Sequence, residues 1–182
     1  MTKPALEKLL GIRFRQKNIL VTFHPATREK DLANTHIREL CAALHYFPEA
    51  MIIFTGVHPD PEGVTIQKEI NRFVKINTNS LCVPSLGGET YLSFLRYVDV
   101  VVGNSSSALI EAPSVGCLAL NIGSRQKGRE KAANVVDVEC RRGPIRHHLA
   151  NLLRRRTDLP RRPFQNPYMR KGTNQKIRKL IS

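Results

Sequence analysis

The chain has 182 residues, 41% of them hydrophobic, and a net charge of +14. That length suits one domain with a real core, which excludes wholesale disorder. No apolar run reaches the roughly 18 residues that cross a bilayer, and residues 1–7 lack a signal peptide's apolar segment, so a cytoplasmic location with no membrane partner is the default expectation.

Residues 4–10 read as a short helix that Gly11 ends. The apolar run 18–23 predicts a buried strand, residues 28–46 an amphipathic helix with Leu32, Ile37, Leu40 and Leu44 on one side, and residues 51–55 a second strand. A helix over 62–76, a strand over 80–83 and a helix over 91–97 follow. The spacing then predicts a strand over 98–102, a helix over 106–112, a strand over 117–121, a short helix near Lys127, a strand over 134–138 and a helix over 145–155. Pro160, Pro163 and Pro167 mark an irregular linker before a last helix over 174–181.

Six short apolar strands alternating with helices predict an α/β fold, a doubly wound parallel sheet of Rossmann type covered on both faces. Ligands of such sheets bind beyond the carboxyl ends of the strands. That nominates His24, the 57–60 turn, the 84–88 loop, residues 103–107 and residues 123–129.

Cys41, Cys82, Cys117 and Cys140 are far apart and form no Cys-x-x-Cys pair, so zinc and thioredoxin-type readings lack support. Cys41, Cys82 and Cys117 sit within or beside apolar segments and read as small hydrophobes. The charge is uneven. Residues 1–140 carry 16 Lys and Arg against 14 Asp and Glu, whereas residues 141–182 carry 13 against 1. The basic tail suits nucleic acid, an acidic surface, an absent acidic partner domain, or no partner at all. With Phe164 and Tyr168 as its only stackable aromatics, nucleic-acid binding is disfavoured.

The most informative stretch runs from Val98 to Glu111. A buried strand enters the turn Gly103-Asn104-Ser105-Ser106-Ser107 and then a helix. Hydroxyl donors sit there beside the unpaired N–H groups of a helix start, which favours an anion, and Gly103 lets a phosphate approach the backbone. Plain serine capping is the alternative. Glu111, one to two turns on, can accept bonds from ribose hydroxyls or be an ordinary surface carboxylate. Gly123-Ser124-Arg125-Gln126-Lys127-Gly128-Arg129 follows the next strand and offers guanidinium forks to phosphate, or is a solvated basic loop. His24 can bind phosphate or move a proton, though a lone histidine is more often structural. The sequence has no nucleophile triad, metal-ligand spacing, Walker lysine motif or Gly-x-Gly-x-x-Gly, and it calls for no cofactor.

These motifs together carry a resemblance. Val21-Thr22-Phe23-His24-Pro25, Thr55-Gly56-Val57-His58-Pro59-Asp60, Val83-Pro84-Ser85-Leu86-Gly87, the serine turn and the Arg125–Arg129 loop occur in this order. The chain resembles the C-terminal half of the hydrolysing UDP-N-acetylglucosamine 2-epimerases. The resemblance implies one half of a two-domain GT-B architecture and a reaction that expels UDP from UDP-N-acetylglucosamine (UDP-GlcNAc), passes through a glycal-like intermediate and adds water to give N-acetylmannosamine. It implies that Ser105 and Ser106 hold the diphosphate, Glu111 the ribose, and Arg125 and His24 the phosphate region, with His24 the catalytic candidate. It places Asn104, His58 and Asp60 near the nucleotide and gives the 84–87 loop to uracil.

His58 stands where the family usually has Asn, while Asp60 is kept. Ala108 replaces a common Gly, and Met169-Arg170-Lys171 intrudes after Asn166-Pro167-Tyr168. The resemblance divides the chain into a residual linker helix (1–17), a UDP-binding domain (18–160) and a basic linker and helix (161–182). The acidic residues that the family uses for proton transfer belong to an N-terminal domain absent from these 182 residues. The chain is therefore expected to bind a UDP-sugar, to need a partner chain or homo-oligomer for turnover, or to serve as a stand-alone UDP-sugar-binding module.

Overall fold

The computed structural model describes residues 1–25, 32–57, 59–83, 86–158 and 161–169. In chain order the elements are α1 (Lys3–Leu10), β1 (Asn18–Thr22), α2 (Ala33–Leu44), β2 (Met51–Thr55), α3 (Pro61–Ile76), β3 (Ser80–Val83), α4 (Gly88–Leu95), β4 (Val100–Gly103), α5 (Ser107–Ile110), a 3-10 turn (Ala112–Val115), β5 (Leu118–Ile122), β6 (Val135–Val138) and α6 (Arg142–Asp158). The six strands form one sheet in the order β3-β2-β1-β4-β5-β6, and every pair is parallel. That is the Rossmann order 3-2-1-4-5-6, whose winding reverses between β1 and β4.

The strands alternate their side chains between two cores, as the two-residue period requires. Ile19, Val21, Ile52, Phe54, Val100, Val102, Leu118 and Leu120 pack on one face beneath α2, α3 and α6. Leu20, Ile53, Val101 and Ala119 face the other way, toward Leu6, Phe94 and Leu109 of α1, α4 and α5. Burial on both faces explains why the four central strands, β1, β2, β4 and β5, read as continuous apolar runs rather than as alternating ones.

Besides α4, which starts at Gly88 rather than at residue 91, three expectations change. The helix after β4 ends at Ile110 after four residues and gives way to the 3-10 turn, because Pro113 has no N–H to continue an α-helical ladder. No helix forms around Lys127. Lys127 N bonds Ser124 O and Arg129 N bonds Gln126 O, two successive tight turns, and Gly128 takes a positive φ of 82°. Finally, α6 starts at Arg142, three residues earlier than the periodicity indicates, where the Glu39 carboxylate accepts the Arg142 N–H at 2.6 Å and so caps the helix. The start of the predicted 28–46 helix and the whole 174–181 helix lie outside the described residues.

The beginning of the predicted linker is bound to the body. Arg161 donates to Leu95 O at 2.8 Å and to Val98 O, and with Arg156 it flanks Asp99. Phe164 N donates to Pro113 O, and Asn166 Nδ2 donates to Ile110 O and Ser114 Oγ at 2.8 and 2.7 Å. This strap crosses the 3-10 turn and anchors at the amino end of β4, opposite the carboxyl ends at which doubly wound sheets generally take their ligands.

Among the described residues no helix is long and apolar enough to cross a membrane. All four cysteines are free thiols. Burial pushes Cys41 and Cys117 up from 9.0 to about 12. A group that is harder to ionise folded than unfolded contributes stability below its unfolded value and loses it as pH rises through the folded one. Unfolding free energy is therefore expected to fall between pH 9 and 12 by about 1.4 kcal/mol per pH unit for each thiol. Urea midpoints across that range, compared with Cys41→Ser, check it, since the variant should show a shallower slope.

Candidate functional site at the sheet's reversal point

The crevice of a doubly wound sheet opens where the strand order reverses. Here it lies between the carboxyl ends of β1 and β4, and the paired residues Thr22 and Gly103 form its floor. Gly103 has φ +135°, and a Cβ there would lie 2.0 Å from Thr22 O. Only glycine brings the two strand ends this close.

Asn104 then ties three loops together. Its N–H donates to Thr22 O, its Oδ1 accepts the His24 N–H at 2.8 Å, and its Nδ2 donates to His24 O at 2.8 Å. Its own carbonyl accepts Arg125 Nη1 at 3.1 Å and Gln126 Nε2 at 2.8 Å. Asn104 is 2% exposed, so this bracing takes place in a dry environment that strengthens each bond. The structure thus brings together His24, Asn104 and Arg125, which are separated by up to about a hundred residues in sequence. They line a narrow cavity of about 10 Å3. It shares His36, Gly123, Ser124 and Cys140 with a neighbouring open groove of about 640 Å3 at the ends of β5 and β6.

The serine turn continues directly from Asn104, which lines the crevice. Ser105 Oγ accepts the Ser107 N–H at 3.3 Å, and Ser106 is half-buried and makes no capping bond. Arg125 is exposed apart from its bond to Asn104, so the rest of its fork faces solvent beside the crevice.

A profile of the UDP-N-acetylglucosamine 2-epimerase family matches residues 1–182, the whole of the chain. The chain belongs to that family. Among curated relatives, a GDP/UDP-N,N'-diacetylbacillosamine 2-epimerase (hydrolysing) of Campylobacter jejuni is 31% identical over 140 residues, 76% of this chain and 36% of that protein. The polysialic acid biosynthesis protein P7 of Escherichia coli is 36% identical over 131 residues, 71% of this chain and 33% of that protein. Among solved structures, the UDP complex of MnaA from S. aureus superposes with a TM-score of 0.70 at 14% identity, covering 100% of this chain and 47% of that one. The UDP-GlcNAc 2-epimerase of Neisseria meningitidis bound to UDP-GlcNAc gives 0.66 at 17% identity, covering 98% and 47%. The fold is that of one Rossmann-like half of these GT-B enzymes, and the chain spans between a third and a half of the relatives' length.

Of the other nominated residues, Asp60 and Glu111 do not line the cavity that His24, Asn104 and Arg125 share. Asp60 is the N-cap of α3, its carboxylate accepting the Gly63 N–H at 2.6 Å ahead of Pro61. His58 lies outside the described residues, as do Pro84 and Ser85 of the uracil loop. Glu111 is the C-cap of the short helix that the serine turn begins, with Oε2 buried.

Sequence reasoning missed two side chains here, Tyr91 and His36, and gave Gln126 and Ser107 no role of their own within the nominated stretches 123–129 and 103–107. Gln126 is 2% exposed and bonds Asn104 O. Its signal was available, because a buried amide two residues from a glycine turn marks a braced loop. Tyr91 and Ser107 were hidden by their elements, the first in an amphipathic helix and the second as the last serine of a run. His36 lines both the cavity and the groove from α2, and no motif announced it.

Proposed function

We propose that this chain is the UDP-binding half of a hydrolysing UDP-N-acetylglucosamine 2-epimerase, and that it holds and stabilises the departing diphosphate. The observation that carries the reading is the meeting of the serine turn with His24 and Arg125 at the reversal point of the sheet, held by Asn104. In the reaction the bond from the sugar's anomeric carbon to the diphosphate oxygen breaks and the neighbouring carbon loses its proton. Water then adds to the resulting double bond. Charge grows on the diphosphate as that bond lengthens, so donors fixed before the reaction lower the barrier most.

In this reading Ser105 and Ser106 present hydroxyls to the diphosphate, Arg125 gives a bidentate fork, His24 donates to a phosphate oxygen or protonates the leaving group, and Glu111 accepts from the ribose. Asn104 acts by position, since both ends of its amide are engaged by the His24 backbone. Asp60 serves the nucleotide through the placement of α3. Residues 18–160 form the nucleotide unit, residues 1–17 are linker, and residues 161–182 lead away from it. The proton transfers at the sugar need acids from the family's other domain.

Calorimetry with UDP on the wild type and the Ser105→Ala/Ser106→Ala double variant tests the site. The double variant is expected to bind at least about tenfold more weakly, two neutral-to-charged hydrogen bonds being lost. Equal affinities would sink the assignment. Release of UDP from UDP-GlcNAc is expected once an N-terminal-domain chain of the family is added. A mixture that binds UDP and stays inert instead favours a stand-alone binding module.

A further inference from the structure

Three buried polar atoms gather under the serine turn with no hydrogen-bond partner among the described residues: Tyr91 Oη, Ser107 Oγ and Glu111 Oε2. Ser107 and Glu111 are four residues apart and share one face of α5 and its end. Tyr91, on α4, reaches the same place, its phenol facing Ser107, Glu111 and Thr22. Thr22, at the end of β1, already accepts from Thr55 Oγ1 at 3.0 Å. Buried polar groups are nearly always paired, and three neighbouring orphans mark a network that closes when something else arrives. Burial pushes the Tyr91 phenol up from 10.0 to about 12, so it stays protonated and remains a donor at neutral pH.

We propose that Tyr91 and Ser107 are positioning residues that lock the inner oxygen of Glu111, so that its outer oxygen meets a ribose hydroxyl pair. The inference rests on the reading of Glu111 as the ribose acceptor. The donors are the phenol and the serine hydroxyl, the acceptor is Oε2, and the network completes only when ribose fixes the carboxylate.

Because the Tyr91 hydroxyl has no partner within hydrogen-bond distance among the described residues, only the neighbouring Ser107 and Thr22 hydroxyls, Tyr91→Phe costs the free protein little. Its melting temperature is expected to stay the same or rise. UDP affinity is expected to fall about tenfold, the loss of one charge-assisted bond. Affinity for 2′,3′-dideoxyuridine diphosphate, which lacks both hydroxyls, should be the same in variant and wild type. Ser107→Ala should repeat the pattern. If Tyr91→Phe binds UDP as the wild type does, or weakens both nucleotides equally, the inference is wrong while the UDP site stands. If the wild type binds both nucleotides alike, the ribose role of Glu111 falls, and this inference with it.

Discussion

Replacing Gly103 by Ala is expected to cost about 3–5 kcal/mol of stability, enough to unfold much of a domain whose total margin is about 5–15 kcal/mol. Two effects add. The backbone sits at φ +135°, which L-residues rarely adopt, and the new methyl would lie 2.0 Å from Thr22 O. That carbonyl belongs to a central strand and accepts the Asn104 N–H, so it cannot swing aside as a flexible side chain would. Gly123 supplies the control. Its φ is +74° with nothing within 4 Å of where a methyl would stand, so Gly123→Ala carries only the backbone cost. That cost is about 1–2 kcal/mol. Urea denaturation of both variants checks the difference. Equal costs would mean that the close approach of β1 and β4 relaxes freely.

The contrast between these glycines shows what the sequence could reveal. The strand pattern was legible because the four central strands are buried on both sides, and the alternation with helices fixed a parallel doubly wound sheet. The reversal between β1 and β4 was not legible, since strand order depends on which helix packs on which face. Yet that reversal is what sets His24 beside Asn104, 80 residues later. Gly103 was assigned to phosphate approach, and the structure gives it an additional reason, the contact with Thr22. Serine capping and anion binding looked like rivals in the sequence. In the structure Ser105 caps through Ser107 N, while Ser106 makes no capping bond. The failed helix near Lys127 has a similar cause. Gln126 turns inward to bond Asn104 O, a tertiary demand that overrides a weak local preference.

Asn104→Ala should damage both stability and binding, although its side-chain amide is engaged by the His24 backbone. Two hydrogen bonds to the His24 backbone are lost at a site 2% exposed, and the His24 N–H is left without its acceptor. A cost of about 2–3 kcal/mol follows from one orphaned donor and two lost bonds. The loop carrying His24 then separates from the turn carrying the serines, and UDP affinity is expected to fall by about tenfold or more, since misplacement of fixed donors weakens every contact they make. Ser106→Ala provides the opposite signature. It removes no native bond, so the urea midpoint should not move, while UDP affinity drops. Calorimetry and urea unfolding on the pair therefore separate a residue that builds the crevice from one that touches what enters it. A stable Asn104→Ala protein with wild-type affinity would show that the three loops hold their places by packing alone.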